Sequence, residues 1–314
     1  MQEGTEIGSS IGNSPDSGHL SLPLRINYAR DQHRTHNRPE SISVARNHRR
    51  AGQRSRGLLW RHDSTYLLTV CLDVLGQDRV LALTSDSPLM PRAEMEETRV
   101  LAAQLGAHHL VLPSDDLANP SIAANRPDRC YHCKFGRFAA LWQVTRSEGL
   151  SYLLHGENAD DAADYRPGSQ AARELGVRAP LREAGLTKAE VRRLSRQRGL
   201  PNWNRPANSC LASRFPYGTA LTPQALGRVE AAEQLLHREL GLSQLRVRDH
   251  FPIARLEVPP GEIARLARPE NRAAVVKGLR ALGYRYITLD LEGYRLGRLN
   301  EDLSDSQTVS ETSG

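Results

Sequence analysis

The chain has 314 residues and a formal net charge of +6, which allows a sizeable buried core and about two domains. No apolar run is long enough to cross a bilayer and the first residues do not form a secretory signal, so we expect a cytoplasmic protein without membrane partners. Residues 1–62 hold ten Arg and five acidic residues, which leaves about +1 for the remaining 252 residues. The basic character belongs to the N-terminal stretch and is weak evidence for a nucleic-acid partner.

The two ends of the chain lack the patterns of folded segments. Residues 1–57 are rich in Ser, Arg, His, Asn and Gln and show no helical or strand period, which is typical of a disordered tail. The polar residues 303–314 are predicted to be disordered as well. A loop bounded by prolines at 201–206 indicates a domain boundary, so we predict domains at 58–205 and 206–302.

Strands and helices alternate in the first predicted domain. Asp63-Ser64-Thr65 is a good helix start, because short oxygen-bearing side chains accept from the N–H groups of the first turn. Apolar spacing predicts helices at 63–76, 92–105 and 135–148, and buried strands at 79–84, 109–112 and 152–156. This alternation predicts a doubly wound α/β fold with a parallel sheet, in which ligands bind beyond the carboxyl ends of the strands.

The second predicted domain is a smaller α/β unit. Before it, Thr187 and Glu190 have the spacing of a capping box for a helix at 187–198. The pattern beyond the boundary then predicts helices at 223–240 and 269–282, and strands at 244–248, 254–258 and 284–289.

Three of the four cysteines are candidates for chemistry. Cys130 and Cys133 form a C-x-x-C pair at the start of a predicted helix, and Cys210 lies in a loop rich in hydroxyl groups. Three thiols without an obvious fourth ligand fit an iron–sulfur cluster with one open iron. A zinc knuckle completed by His132 or His155, or free thiols, fits the same spacing. The fourth cysteine lies on an apolar helix face and is predicted to be a core residue.

Two polar clusters suit phosphate chemistry. Asp160 and Asp161 follow a strand end, where paired carboxylates bind Mg²⁺ and the phosphates that it bridges, although acidic caps of a helix would show the same letters. Arg246 and Arg248 alternate along a strand, so both guanidinium groups face one side and could clamp a phosphate. A solvated strand face is the alternative for this pair.

Seven segments of the chain resemble the LarE family of sulfur transferases: residues 81–91, 128–134, 156–168, 184–201, 209–218, 246–257 and 288–301. The resemblance covers about residues 58–302 and is specific, because a CLASR-x-PYG motif at 210–218 and an LDLEGY motif at 289–294 occur in the family's order. It implies an ATP-binding PP-loop domain of the adenine nucleotide alpha hydrolase type. It also implies a C-terminal domain that helps to assemble homo-oligomers.

The resemblance further implies a reaction in nickel-pincer nucleotide cofactor synthesis. ATP, with Mg²⁺, adenylylates a carboxylate of pyridinium-3,5-biscarboxylic acid mononucleotide. Sulfur then displaces AMP and leaves a thiocarboxylate. The implied partners are this small nucleotide substrate and the other enzymes of the cofactor pathway.

The family's functional residues map onto this chain by motif. Cys210 matches the sulfur-bearing cysteine, which in one branch gives up its own sulfur and becomes dehydroalanine. In another branch it joins two cysteines on a 4Fe–4S cluster, and Cys130, Cys133 and Cys210 resemble that set. The residues implied near the substrate phosphate are Ser213, Arg214, Arg246 and Arg248. Those implied for ATP and Mg²⁺ are Asp63, Ser64, Thr84, Gly156, Asp160 and Asp161.

One departure from the family pattern affects the ATP site. The family has a phosphate loop, S-G-G-x-D-S, whose glycines let backbone N–H groups approach the pyrophosphate. Here residues 59–64 read Leu-Trp-Arg-His-Asp-Ser, so Trp60 and Arg61 replace both glycines. We expect ATP binding to suffer, since a Cβ and a large ring occupy the phosphate's path.

A change of reading frame would account for this departure. Permitted codons for residues 53–62, read one base out of frame, can encode Ser-Val-Leu-Val-Ala-Phe-Ser-Gly-Gly, a strand followed by the missing loop. Our hypothesis is that residues before about His62 are translated out of frame.

Two other functions remain open at this stage. A tRNA thiolation enzyme also combines a PP-loop with three cysteines, but would need a basic RNA-binding surface, which the near-neutral body does not offer. A non-catalytic remnant that has lost ATP binding is the second.

Overall fold

The computed structural model describes residues 62–162, 167–205, 209–242 and 244–295, together with the backbone of three short strands closer to the N-terminus. These are β1 (Ile26–Tyr28), β2 (Ile42–Val44) and β3 (Gly57–Leu58), of which β1 and β2 pair antiparallel. Most of the predicted disordered segments, 1–57 and 303–314, and the loop at 59–61 lie outside the described residues, so those predictions stay predictions.

Parallel strand pairs and connecting helices form the first part of the chain. In order, the elements are α1 (His62–Leu75), β4 (Leu81–Asp86), α2 (Arg92–Gln104), β5 (His108–Pro113), α3 (Pro120–Ala123), α4 (Arg129–Ser147), β6 (Leu153–Leu154), α5 (Pro167–Glu174), α6 (Pro180–Glu183) and α7 (Lys188–Gln197). β3 pairs with β6 and β4 with β5, both in parallel, and β3 lies beside β4. The predicted α/β class with a parallel sheet is confirmed, although the strand pairs are short.

The second part is built around a three-stranded sheet. Its elements are α8 (Pro223–Leu240), β7 (Arg246–His250), β8 (Ile253–Glu257), α9 (Ile263–Leu266), α10 (Pro269–Ala281) and β9 (Tyr286–Leu289). β8 lies in the centre, antiparallel to β7 and parallel to β9. The inner face of this sheet packs under α8 and α10 around a cluster that includes Leu236, Val247, Leu256 and Leu279.

Most predicted helices begin and end within two residues of their observed bounds, and the capping box of α7 is present. Thr187 accepts from the backbone N–H of Glu190, whose side chain accepts in return from the backbone N–H of Thr187. One prediction was wrong. The helix expected to start at residue 135 begins at Arg129, so Cys130 and Cys133 lie inside α4. Residues 129–134 contain neither Gly nor Pro, and nothing in them stops the helix from extending back towards Pro127.

A further hydrophobic cluster joins the two parts of the chain. Leu89 comes from the loop after β4 and Ile122 from α3, whereas Leu211, Phe215 and Val229 come from the Cys210 loop and from α8. All five side chains are almost completely buried. The Cys210 loop is therefore held between the two parts, facing the first turns of α4. Within the described residues, no helix is long and apolar enough to cross a membrane.

Candidate functional site

The Cys210 loop is fixed by a buried guanidinium group. Cys210 precedes a short 3₁₀ turn, Leu211–Arg214. Arg214 bends back beneath this turn, and its Nη1 donates to the carbonyls of Ser209 and Cys210 at 2.7 and 3.1 Å and to the hydroxyl of Ser213 at 3.1 Å. The Cys210 carbonyl also accepts from the backbone N–H of Ser213 at 3.0 Å, so Arg214 reinforces the turn.

The same guanidinium forms a two-bond ion pair with α8. Its Nε and Nη2 each lie 2.9 Å from one carboxylate oxygen of Glu233, and the Arg214 side chain is 1% exposed. Glu233 also accepts from the backbone N–H of Val247 at 3.0 Å. Burial raises the pKa of Glu233, but the charge and hydrogen bonds of Arg214 outweigh it, and the pKa is lowered. Arg214 thus ties the cysteine loop to α8 and β7.

Helix α4 carries the other two thiols. Cys130 and Cys133 are three residues apart, so they lie on one face of the helix. Both are partly buried, as is Cys210. The three thiols lie close enough to influence one another, since Cys210 and Cys130 both contribute to the raised pKa of Cys133. The structure therefore brings together the three cysteines that the sequence analysis selected.

Three arginines surround these thiols, and two of them were missed from the sequence. Burial raises the pKa of Cys210, but the positive charges of Arg129, Arg137 and Arg214 outweigh burial and the pKa is lowered. Burial raises the pKa of Cys133 to about 12, in spite of the opposing charge of Arg137. Cys210 is therefore the more easily ionised thiol of these two. Arg129 and Arg137 gave no signal because they look like ordinary polar positions of a helix.

A buried carboxylate holds Arg137 beside Cys133. Asp116 lies 3.0 Å from Arg137 Nε, and it accepts hydrogen bonds from Ser87 and from Ser114, the latter at 2.7 Å. The Cys133 thiol lies 3.8 Å from the same carboxylate. Burial raises the pKa of Asp116, but the charge of Arg137 and these hydrogen bonds lower it overall. Asp116 was also missed, since it follows a strand in a segment without a motif.

The metal predictions of the sequence analysis can be compared with the side chains around the thiols. The described residues contain no group of three or more His, Cys, Asp or Glu side chains placed to hold one metal ion. His132 pairs with Asp128 at 3.3 Å and His155 with Glu157 at 3.3 Å, so neither histidine completes a zinc knuckle. The 4Fe–4S cluster that the resemblance implies for the three thiols is not tested by this geometry and stays a prediction.

Two further arginines lie on β7, behind the cysteine loop. Arg248 donates to the carbonyl of Ser213 at 2.6 Å and to Glu257 at 2.6 Å. Arg246 is buried, donates to the carbonyl of Leu245 at 2.6 Å, and lies 5.1 Å from the ring centroid of Tyr294. Burial lowers the pKa of Arg246, and the nearby charge of Arg214 lowers it further. These strand positions are buried, so the solvated face weighed as an alternative is not formed.

The start of α1 packs directly against the loop that follows β6. A Cβ added to Gly156 would lie 2.5 Å from the backbone nitrogen of Ser64 and 2.8 Å from the carbonyl carbon of Asp63. The buried Asn158 donates to the Asp63 carboxylate at 3.1 Å. Only glycine allows this approach, because any Cβ would overlap the first turn of α1. Three residues predicted for the ATP site, Asp63, Ser64 and Gly156, are therefore brought together.

The acidic pair after this loop has structural partners. Asp160 accepts from the backbone N–H of Lys188, the first residue of α7, at 2.9 Å. Asp161 accepts from the backbone N–H of Asn158 at 3.2 Å. The geometry agrees with the capping alternative for Asp160, and a Mg²⁺ role of either residue stays a prediction.

Thr84 lies on β4, near the start of α1. Its hydroxyl lies 2.9 Å from Nε2 of His109, a half-buried residue whose pKa is lowered by burial and by the charge of Arg99. A cavity of about 30 Å³ beside Thr84 is lined also by Ser64, Leu68 and Thr98. This volume holds one or two water molecules and is too small for a nucleotide base.

The fold and the site together define a class of protein. A parallel α/β domain of the kind that binds nucleotides meets a smaller α/β unit at a set of three thiols in basic surroundings. Comparison with known proteins narrows the class. No family model matches the chain.

Two relatives are similar over most of the chain, and a third is similar over less than half of it. The pyridinium-3,5-bisthiocarboxylic acid mononucleotide synthase of Lactiplantibacillus plantarum is 41% identical over 248 residues, which cover 79% of this chain and 89% of that protein. An uncharacterized protein of Synechocystis is 43% identical over 242 residues, 77% of this chain and 90% of that protein. An argininosuccinate synthase of Natronomonas pharaonis is 30% identical over 147 residues, 42% of this chain and 36% of that protein.

The chain belongs to the LarE family, that of the pyridinium-3,5-bisthiocarboxylic acid mononucleotide synthases, and it is an enzyme of the sulfurtransferase type. The resemblance seen in the sequence is confirmed. The roles of the individual residues are not tested by these similarities and are taken up as proposals.

Proposed function

We propose that this enzyme converts a carboxylate of pyridinium-3,5-biscarboxylic acid mononucleotide into a thiocarboxylate, at the expense of ATP, for nickel-pincer nucleotide cofactor synthesis. The relative from L. plantarum is named for the bisthiocarboxylic product of such a reaction. In the activation step a carboxylate oxygen attacks the α-phosphorus of ATP, and pyrophosphate leaves. In the second step a sulfur nucleophile attacks the acyl carbon. The bond between this carbon and the AMP oxygen breaks, and AMP leaves with its electron pair.

The observation that carries this proposal is a built anion site behind the Cys210 loop. Arg246 is 5% exposed, and none of the carboxylates that the structure describes forms an ion pair with it. A buried cation without a counter-ion is costly, and a bound phosphate would provide one. Arg248 extends this site to the loop through its bond to the Ser213 carbonyl. The substrate phosphate would thus be held one turn away from the thiol of Cys210.

In this proposal each group of residues has one task. Arg246 and Arg248 bind the substrate phosphate, and Ser213 lies next to it. Arg214 keeps the loop in place, because most of its donors are engaged by Glu233 and by the loop carbonyls. Cys130, Cys133 and Cys210 would bind a 4Fe–4S cluster, which would supply a bound sulfide for transfer.

In this proposal ATP would bind at the start of α1, where the loop after β6 packs against the first turn of the helix. The N-terminus of a helix is a good site for phosphate, and Asp63, Ser64 and Gly156 lie there. We expect the enzyme to use ATP and Mg²⁺, because of its family and because part of the chain is similar to an argininosuccinate synthase. Residues 59–61, which replace the glycines of the phosphate loop, lie outside the described residues.

The first test measures substrate binding. Arg246→Met should weaken binding of the biscarboxylate mononucleotide by about 10- to 100-fold, since a charge-assisted hydrogen bond contributes roughly 1.5–3 kcal/mol. Calorimetry with the dephosphorylated nucleoside should show no such difference. The matched control is Arg272→Met, at an exposed arginine of α10. Equal affinity of Arg246→Met and the wild-type chain for the mononucleotide would contradict the phosphate assignment.

A second test separates an active enzyme from a remnant. Pyrophosphate exchange into ATP that depends on the biscarboxylate nucleotide supports the proposal, and exchange that depends on tRNA supports the tRNA thiolation alternative. A silent chain whose gene has been resequenced would be a remnant that has lost ATP binding. Resequencing across codons 50–64 also decides the frame-shift hypothesis, which a confirmed sequence without an in-frame loop would refute.

The cellular setting of the reaction stays a prediction. We expect a cytoplasmic homo-oligomer that passes its product to other enzymes of the cofactor pathway. Size-exclusion chromatography with light scattering would test the oligomer.

A further inference from the structure

One buried cation of the sulfur site has no carboxylate partner. Arg129 is 3% exposed. Its Nη1 contacts the side-chain oxygen of Asn125 and lies 3.4 Å from the carbonyl of Ala212, and its Nη2 lies 3.8 Å from the sulfur of Cys130. Throughout the described part of the chain, no Asp or Glu forms an ion pair with this guanidinium. Its polar contacts are neutral oxygens and a thiol.

The other two arginines of the site differ in this respect. Arg137 is paired with the buried Asp116, and Arg214 with the buried Glu233. Each of those cations therefore has its own anion in the protein. The sulfur site as a whole carries one positive charge more than its carboxylates neutralise. Such a charge is costly in a buried place unless another anion is bound there.

The groups that could carry the missing negative charge are few. Near Arg129 these are the Cys130 thiol, whose sulfur lies 3.8 Å from Nη2, and Tyr217, whose ring centroid lies 5.9 Å from the guanidinium carbon. Cys130 follows Arg129 in the helix, and Ala212, whose carbonyl Arg129 approaches, lies two residues after Cys210. Arg129 thus joins the two elements that carry the thiols.

We propose that Arg129 is the counter-ion of the sulfur centre, a positioning residue that binds the negative charge of the sulfur held by Cys130, Cys133 and Cys210. The proposal rests on the proposed function, because it takes these thiols as the sulfur-carrying group. It adds a reason why the sulfur is retained until the activated substrate arrives, namely the attraction of one unneutralised guanidinium. It also gives the C-x-x-C segment a third functional residue, directly before the first cysteine.

The first experiment is a double-mutant cycle on the iron-free chain, in which the stability of each variant is measured by thermal melting. Arg129→Gln is made in the native background and in a Cys130→Ser/Cys133→Ser/Cys210→Ser background, where none of the three thiols of the site can ionise. We expect the variant to lower Tm more in the native background, by about 3 °C or more relative to the serine background. A role confined to the contacts with Asn125 and Ala212 predicts the same loss in both, and that result overturns the proposal.

Two further variants separate charge from shape. Arg129→Lys keeps the charge but not the planar fork, and should keep most of the coupling to the thiols. Arg126→Gln removes an exposed arginine three residues earlier and should show no coupling. Coupling that is lost equally in Arg129→Lys and Arg129→Gln would mean that hydrogen-bond geometry, not charge, is responsible, which also overturns the proposal.

The second experiment measures iron and acid-labile sulfide after anaerobic reconstitution and gel filtration. Arg129→Gln should retain less than half of the iron held by the wild-type chain, whereas Arg129→Lys and Arg126→Gln retain it. If the wild-type chain holds no iron but the cycle shows coupling, the cluster assignment is wrong and the counter-ion role of Arg129 stands. If iron is held equally by all chains and the cycle shows no coupling, the counter-ion is wrong and the proposed function stands.

Discussion

The closest backbone contact at the nucleotide end makes a quantitative prediction about Gly156. A Cβ at this position would lie 2.5 Å from the backbone nitrogen of Ser64 and 2.7 Å from its hydroxyl oxygen. Ordinary van der Waals contact begins near 3.4 Å, so Gly156→Ala would require a displacement of about 0.9 Å. The neighbour is the first turn of α1, whose following residues are buried in the core, and it cannot yield as a flexible side chain would.

The expected cost follows from this displacement. Overpacking of a core costs about 1–3 kcal/mol, and a chain of this size loses about 2–4 °C of Tm per kcal/mol. We therefore expect Gly156→Ala to melt about 2–12 °C below the wild-type chain in a thermal scan monitored by circular dichroism. The change should also weaken the binding of any nucleotide at the N-terminus of α1.

A second glycine provides the matched control. Gly227 is exposed within α8, and a Cβ there would meet nothing within 4 Å. Gly227→Ala should raise the stability by about 0.5–1 kcal/mol, because alanine loses less backbone entropy in a helix. Two variants of one chemical type are thus expected to shift Tm in opposite directions. A Gly156→Ala chain that melts within 1 °C of the wild type would refute the close approach.

Three further predictions concern the buried ion pair and the altered loop. Arg214→Met should cost about 3–5 kcal/mol in urea unfolding, because it leaves the Glu233 carboxylate buried without its partner; a combined Arg214→Met/Glu233→Leu chain that is no more stable would argue against this cause. The pair should also make stability depend on pH. The folded-state pKa of Glu233 is lowered, so its contribution is present above the unfolded value of about 4.3 and is lost as pH falls through the lowered folded value. The difference between wild type and Glu233→Gln in urea should shrink below about pH 4, and a constant difference between pH 3 and 7 would contradict the lowered pKa. Finally, Trp60→Gly/Arg61→Gly should restore or strengthen ATP binding by at least about tenfold in calorimetry, since backbone N–H groups could then approach the pyrophosphate; unchanged affinity would show that the loop is not the defect.

The sequence was sufficient for the elements whose patterns are local. The helix at 223–240 was predicted with its observed bounds, because Thr222, Pro223 and the apolar period define one start and Gly241 defines the end. The capping box of α7 was equally readable from Thr187 and Glu190. In contrast, α4 begins six residues before its predicted start. Its first turns carry polar and thiol side chains towards another loop, so they lack the apolar period that indicates a helix.

The candidate site was predictable in part, for a related reason. Cys130, Cys133 and Cys210 were found because thiols are rare and their spacing is informative. Arginine is common in this chain, so Arg129 and Arg137 could be recognised only when tertiary contacts showed them beside those thiols. Their importance comes from burial and from the identity of their partners, which depend on residues far away in sequence.

The cluster that joins the two parts of the chain has a consequence for how substrate and sulfur meet. Leu211 and Phe215, on either side of the 3₁₀ turn after Cys210, are 1% exposed and pack with Leu89, Ile122 and Val229. Swinging this loop outwards would expose two large apolar side chains, at a cost of about 1.5–3 kcal/mol each. Because such a movement is costly, we expect the Cys210 loop to stay in place during the proposed reaction. The activated substrate would then have to diffuse to the sulfur site, instead of receiving sulfur from a cysteine that moves towards it.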